Sequence, residues 1–226
     1  DVPGSIFYSM MLLAVMFGFS HLPDRVGVAA LVVGVLLAGV FYVWENHTKY
    51  PVLNIPLLAS NRAFALSNLA ALINFSATFA VAFLLSLYLQ VVRGLDPGTA
   101  GLVLITQPII QAIFATPAGR LSDRIEPQYV ASAGMVVITL GLAFLTFLTP
   151  NTPIPHVLAS LILLGFGFAL FSSPNTNAVM TSVDRTLYGV ASGMLATMRT
   201  TGMMLSLAIV TVIFALLIGT TQICPE

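Results

Sequence analysis

Gly119-Arg120-Leu121-Ser122-Asp123-Arg124-Ile125-Glu126 decides how this chain folds. The octapeptide carries four charged side chains in a protein with eight basic and eight acidic residues in all. On either side, residues 98–118 and 128–148 carry no charge. A helix rising ~1.5 Å per residue needs about twenty residues to cross ~30 Å of hydrocarbon. A compact charged turn between two apolar stretches of that length therefore reads as a short loop joining two membrane-spanning helices.

Composition agrees. The chain is 58% hydrophobic and 7% charged, with a mean hydropathy of +1.00. Soluble domains carry about 25% charged residues, so a soluble fold is excluded. A formal net charge of zero removes any bulk electrostatic case for binding nucleic acid. The one cysteine, Cys224, rules out an internal disulfide framework and thiolate metal clusters. No metal site and no cofactor are implied. The first residue is Asp1, and no basic segment precedes the first apolar run, so no signal peptide is expected. A processed chain or a piece of a longer protein is expected instead.

Apolar runs fall at about 4–22, 26–44, 63–92, 98–118, 128–148, 154–174 and 187–219. The first is marginal in length, and the third and seventh are long enough to tilt or extend into the interface. Barrel strands would be half as long and alternate in polarity. The expected fold class is an all-α integral membrane protein with about seven transmembrane helices. Turns rich in helix breakers separate the runs: His21-Leu22-Pro23-Asp24-Arg25, Arg93-Gly94-Leu95-Asp96-Pro97 and Thr149-Pro150-Asn151-Thr152-Pro153. The longest polar interval, 45–62, holds Pro51 and Pro56 and marks an internal boundary. With alternating helices, Lys49, Arg62, Arg120, Arg124 and Arg185 share one side, against Arg25 and Arg93 on the other. The excess places 45–62, 119–127 and 175–186 in the cytoplasm.

Further residues carry a resemblance. Asn61-Arg62-Ala63-Phe64 leads into Ser67-Asn68-Leu69-Ala70-Ala71-Leu72-Ile73-Asn74-Phe75, followed by Leu89-Gln90, Gly94, Ala100-Gly101 and Pro117-x-Gly119-x-x-x-Asp123-Arg124. Pro174-Asn175 closes the sixth run, and Gly189-Val190-Ala191-Ser192-Gly193 opens the seventh, ahead of Arg199 and Gly202. Together these resemble the C-terminal part of the fourteen-helix drug:proton antiporters of the major facilitator superfamily. The resemblance implies that residues 1–44 are two linker helices. It makes 45–62 a cytoplasmic interfacial loop and 63–226 five of the six helices of a second bundle, with the last helix and the N-terminal bundle missing. The loop departs from the usual pattern, since Ile125, Glu126, Pro127 and Gln128 follow where a glycine and more basic residues are usual. Proton coupling is implied by the resemblance only.

Two readings of Gly119, Arg120, Asp123 and Arg124 stand side by side. As a gate latch, Asp123 accepts hydrogen bonds from a neighbouring helix N-terminus, or pairs with an arginine, in one transport state. As a topology anchor, the charges are merely solvated. A carboxylate adds nothing to positive-inside anchoring, which favours the latch. Arg199 lies about 18 Å into the seventh run by helix rise, where a cation costs roughly 2.5–3.5 kcal/mol on insertion scales. No carboxylate is expected inside any apolar run to neutralise it. It either faces a polar path or snorkels to the interface.

Ser67, Asn74 and Thr78 form one stripe of the third helix, and Gln107 and Gln111 share a face of the fourth. Such groups glue helices together or line a water-filled path. Asn74, Thr78, Gln107, Gln111 and Arg199 are the substrate-path candidates. Pro108, Pro117 and Pro174 mark kinks, and Gly189-x-x-x-Gly193 is a close-packing signal.

Three function classes follow. The first is solute transport by alternating access, in the form of proton-coupled efflux of drugs or other amphipathic molecules across the cell membrane. The lipid bilayer, a small-molecule substrate, protons and the missing N-terminal bundle are then the partners. The second is an intramembrane enzyme, which needs titratable catalytic groups at depth. His21, His47 and His156 lie at run ends or in loops, so no catalytic residue is expected. The third is a non-transporting membrane module such as a sensor or assembly subunit.

Overall fold

The computed structural model describes residues 2–21, 24–48 and 60–217. All regular structure there is helical: α1 (Val2–Ser20), α2 (Arg25–His47), α3 (Arg62–Leu87), α4 (Pro97–Leu104), α5 (Thr106–Ser122), α6 (Pro127–Leu145), α7 (Ile154–Thr181) and α8 (Tyr188–Leu217). Six stretches are long and apolar enough to cross a bilayer, with α4 and α5 counting as one, and α1 is a shorter apolar helix. The expected all-α membrane architecture is what the chain forms. Most of the 45–62 interval, with Lys49, Pro51 and Pro56, lies outside the described residues, as does Cys224.

The chain divides into two compact units. One contains α1, α2, the first part of α3 and α8. Helices α1 and α2 form an antiparallel hairpin in which glycine lets backbones meet. An added Cβ at Gly27 would stand 2.5 Å from the His21 carbonyl oxygen, and one at Gly34 would stand 2.7 Å from the Val15 side chain. Lipid tails are as apolar as leucine, so such close approach replaces the hydrophobic effect as the source of helix association. Gly202 of α8 likewise faces the Leu72 carbonyl and Phe75 of α3, and the Ser206 hydroxyl accepts the Ala80 N–H at 3.0 Å. Tyr8 of α1 and Thr201 of α8 share a hydrogen bond between their hydroxyls.

The second unit runs from Val81 to Asp184. Here α3 ends in a π-helical turn, Tyr88–Val92, and Gly94 takes φ +65°, a conformation that stops the helix without Cβ strain. The Tyr88 hydroxyl donates to the Thr149 carbonyl at 2.7 Å, and Arg93 Nη1 donates to the Pro150 carbonyl at 2.6 Å. These bonds tie the end of α3 to the α6–α7 connection. Asp96 then caps α4, accepting from the Thr99 N–H at 2.9 Å and the Thr99 hydroxyl at 2.7 Å, with Pro97 at the first helical position. Leu85, Leu89, Ala100, Val103, Val157 and Leu161 pack into the buried core of this end.

Several boundaries differ from the sequence expectation, each for a physical reason. The fourth run is two helices broken at Ile105, three residues before Pro108, whose missing N–H and ring disrupt the preceding turn. Helix α7 does not close at Pro174-Asn175 but continues to Thr181, with Pro174 inside it and Asn175 2% exposed. A proline costs a membrane helix little where packed neighbours cover the freed carbonyl. Helix α2 runs on to His47 and buries Glu45 to 4% exposure, so a carboxylate is buried at the end of an apolar run after all. Gly189 and Gly193 have nothing within 4 Å of a would-be Cβ among the described residues, so they do not bring helices together there. The close contacts form instead at Gly134, Gly165 and Gly167.

A polar cleft between α5 and α7

Helix α7 is the buried helix of its unit. Gly167 meets Gly134 of α6 backbone to backbone, and a Cβ on Gly134 would lie 2.7 Å from the Phe171 nitrogen and 2.8 Å from the Gly167 carbonyl oxygen. On the other side, a Cβ on Gly165 would lie 2.5 Å from the Gln107 carbonyl oxygen of α5. From that contact the two helices run in parallel and enclose a cleft of about 500 Å³. Helix α5 contributes Gln111, Ala115, Gly119, Ser122 and Asp123, residues three or four apart on one face. Helix α7 contributes Ala169, Ser172, Ser173, Thr176, Asn177 and Met180 by the same spacing. Alanines and Gly119 keep the walls low, and hydroxyls and amides line them.

Much of this polar lining is unsatisfied from within. Ser122 donates to the Gly119 carbonyl at 2.8 Å, and Thr176 donates to the Ser172 carbonyl at 2.8 Å. The side chains of Gln111, Ser173 and Asn177 form no hydrogen bond among the described residues. Behind the cleft, the Asn175 Nδ2 is buried with no acceptor among them. Leaving such groups without water or a ligand costs about 1–3 kcal/mol each.

Asp123 stands at the mouth. Its backbone N–H closes the end of α5 on the Gly119 carbonyl at 3.2 Å, and it supplies the charge of the described lining. A carboxylate at a helix C-terminus opposes the helix dipole, whereas Arg120 in the same last turn suits it. Asp123 is therefore not placed there for the stability of α5.

The sequence-derived candidates separate into two groups. Gln111, Gly119 and Asp123 meet in the cleft. Arg120 and Arg124 are exposed and outside its lining, and Gln107 contributes its carbonyl to the tight contact above it. Asn74, Thr78 and Arg199 belong to the other unit. Asn74 is 3% exposed, and its Oδ1 accepts no hydrogen bond among the described residues. Thr78 donates to the Asn74 carbonyl at 2.7 Å, and the Arg199 guanidinium lies 5.7 Å from the Phe75 ring centre. Sequence reasoning missed Thr176 and Asn177 because it ended α7 at Pro174, and it left Ser172 and Ser173 unremarked at the end of that run. Their three- and four-residue spacing was the available signal. It also passed over Asn68, which is 1% exposed and donates to the Phe64 carbonyl at 2.9 Å.

A family model described as Major Facilitator Superfamily matches residues 68–221. Among curated relatives, the riboflavin transporter RibZ of Clostridioides difficile is 27% identical over 218 residues, which cover 95% of this chain and 47% of that protein. The uncharacterized transporter YebQ of Escherichia coli is 29% identical, over 89% of this chain and 45% of its own length. The multidrug efflux pump LfrA of Mycolicibacterium smegmatis is 26% identical, over 82% and 37%. The chain thus spans less than half the length of each of these relatives.

Proposed function

The chain belongs to the major facilitator superfamily, and from that premise we propose that the full-length protein expels drugs or other amphipathic small molecules across the cell membrane by alternating access, coupled to protons. The family is one of transporters, so this chain is not an enzyme. The observation that carries the reading is the α5–α7 cleft, where hydrogen-bonding side chains lie open in an otherwise apolar bundle and lead to a carboxylate at a helix end. Relatives named as a multidrug efflux pump and as lincomycin resistance proteins support drugs as cargo, while one named as a riboflavin transporter supports a wider solute range.

In this reading Gly119, Arg120, Asp123 and Arg124 form the gate, and Asp123 engages a partner from the N-terminal bundle in one state. Residues 1–44 are the linker pair, 45–62 the cytoplasmic interfacial loop and 63–226 the second bundle. In support, the family match begins at residue 68, inside α3 and after both α1 and α2. Asn74, Thr78, Gln107, Gln111 and Arg199 face the solute path. The test is accumulation of a fluorescent drug and of riboflavin in an efflux-deficient host expressing the full-length protein. Lower accumulation of at least one, restored by a protonophore, is expected. Accumulation equal to that of empty-vector cells would sink the reading.

A further inference from the structure

The unit formed by α1, α2, α8 and the first part of α3 holds a cavity of its own, about 270 Å³ in volume. Its wall includes Tyr8 and Met11 of α1, Ala38 and Phe41 of α2, Leu72 of α3 and Met198 of α8. Unlike the α5–α7 cleft, it offers almost no polar surface. The Tyr8 hydroxyl donates to the Thr201 hydroxyl, which in turn donates to the Thr197 carbonyl at 2.8 Å, so these groups are satisfied within the wall. Water entering such a space finds few partners, and a void there forfeits packing contacts. Phe41 is 5% exposed, but Tyr42, which also lines the cavity, is 58% exposed and leaves it open to the side. For a protein embedded in a bilayer, the apolar material at such an opening is the lipid tail.

Tyr42, Leu72 and Thr197 lie about 8–15 Å by helix rise from the end of the unit where α2 stops and α3 and α8 start. Half of a ~30 Å hydrocarbon core is about 15 Å, so the cavity belongs to one leaflet. Trp44, 40% exposed, and Tyr188, 42% exposed, stand at those helix ends, the level at which aromatic rings meet headgroups. Arg62 and Arg185 are exposed there and Glu45 is buried, so even with the exposed Asp184 counted against them the surface charge of the described residues is positive. We infer that the cavity holds an acyl chain of an anionic phospholipid from that leaflet, with its phosphate at the arginine-bearing end. The lipid then fills the junction between the α1–α2 hairpin and α8, apart from the α5–α7 cleft.

The test mixes the full-length protein in detergent with equal amounts of phosphatidylglycerol and phosphatidylcholine and reads bound lipid by native mass spectrometry. Phosphatidylglycerol should be retained about fivefold over phosphatidylcholine, the factor that one basic side chain near a membrane surface is worth. Ala38→Trp, which fills the cavity, should lower that retention by about threefold or more. Val35→Trp, on the same helix at a residue 70% exposed and outside the lining, should leave it unchanged. A second measurement needs no variant: phosphatidylglycerol carrying a diazirine in mid-chain is photolysed on the wild-type protein and the labelled residues are mapped. Label at Met11, Leu72 or Met198 is expected. Equal retention of the two lipids overturns the proposal, as does retention unmoved by Ala38→Trp. So does label confined to outward residues such as Leu13 and Val35, the pattern expected if a segment of the N-terminal bundle covers the cavity. Neither measurement depends on transport, so a failed efflux assay would leave the lipid site standing.

Discussion

Against α6, helix α7 brings backbone to backbone; against α5, it touches at Gly165 and then holds a cleft of about 500 Å³ open. The two sides are made from similar small residues, glycine on one and glycine, alanine and serine on the other. What separates them is where the small residues meet. Gly134 and Gly167 face each other, so the gap closes to van der Waals contact. Gly119 faces Ser173, and Ala115 and Ala169 lie nearby, so the space between them stays open and polar. A small residue in a membrane helix therefore permits close approach without guaranteeing it.

The largest effect should come from function on the open side. Asp123→Asn in the full-length protein should cut transport several-fold to a hundredfold while leaving expression and thermal stability nearly intact. A state-specific bond of typically ~1–3 kcal/mol biases the conformational equilibrium by such factors. Efflux rates indistinguishable from wild type would make Asp123 a solvated residue and the cleft mouth inert.

On the closed side the cost is structural. Gly134→Ala places a methyl 2.7–2.8 Å from backbone atoms of α7, which cannot swing away as a side chain would. Overpacking of this kind costs about 1–3 kcal/mol. A clear fall in melting temperature, or a loss of monodisperse protein in detergent, is the expected result. Wild-type stability in this variant would mean that the α6–α7 contact is looser than its geometry.

The contrast sharpens with Gly119→Ala and Gly193→Ala. At Gly119 the new methyl would meet the Ser173 hydroxyl at 3.1 Å, a rotatable group, so stability should change by less than about 1 kcal/mol while the cleft narrows. At Gly193 nothing lies within 4 Å among the described residues, so helix propensity should make alanine neutral or stabilising by up to about 1 kcal/mol. Thermal unfolding of the pair measures both. A Gly193→Ala variant as unstable as Gly134→Ala would show that a close neighbour covers that face in the full-length protein.

The membrane class and the positions of the helices were legible because hydropathy and charge are properties of the chain itself. The loop at 119–126 and the apolar runs needed no partner to be read. The cleft was only half legible. Gln111 and Asp123 stand out as polar groups in or beside an apolar run, but Ser173 was a small hydroxyl at the end of a run and Asn177 sat in what looked like a loop. Pro174-Asn175 has the chemistry of a helix stop in water, and only packing against α6 and α5 lets the helix pass through it. The glycine contacts were illegible for a related reason: Gly189-x-x-x-Gly193 has the close-packing spacing and no neighbour within reach among the described residues, while Gly134 and Gly167 lie on different helices and pair only in three dimensions.

The smallest effect tests the end of α7 farthest from the cleft mouth, where Val157 and Leu161 pack with Ala100 and Val103 of α4. Asp96 fixes where α4 begins, and its two bonds from Thr99 hold its carboxyl below the ordinary carboxylate range. A carboxyl whose pKa is lowered on folding stabilises the fold at pH values above its unfolded pKa, and that contribution fades as pH falls through the folded value. Asp96→Ala should therefore lower the melting temperature slightly at neutral pH. The gap to wild type should shrink on acidification through and below the carboxylate range. Asp96→Asn, which keeps a capping acceptor, should show a smaller gap and less pH dependence. A gap that stays constant from neutral to acid pH would mean that the Asp96 charge does not contribute to the cap, and that α4 is held against α7 by its apolar contacts and by Pro97.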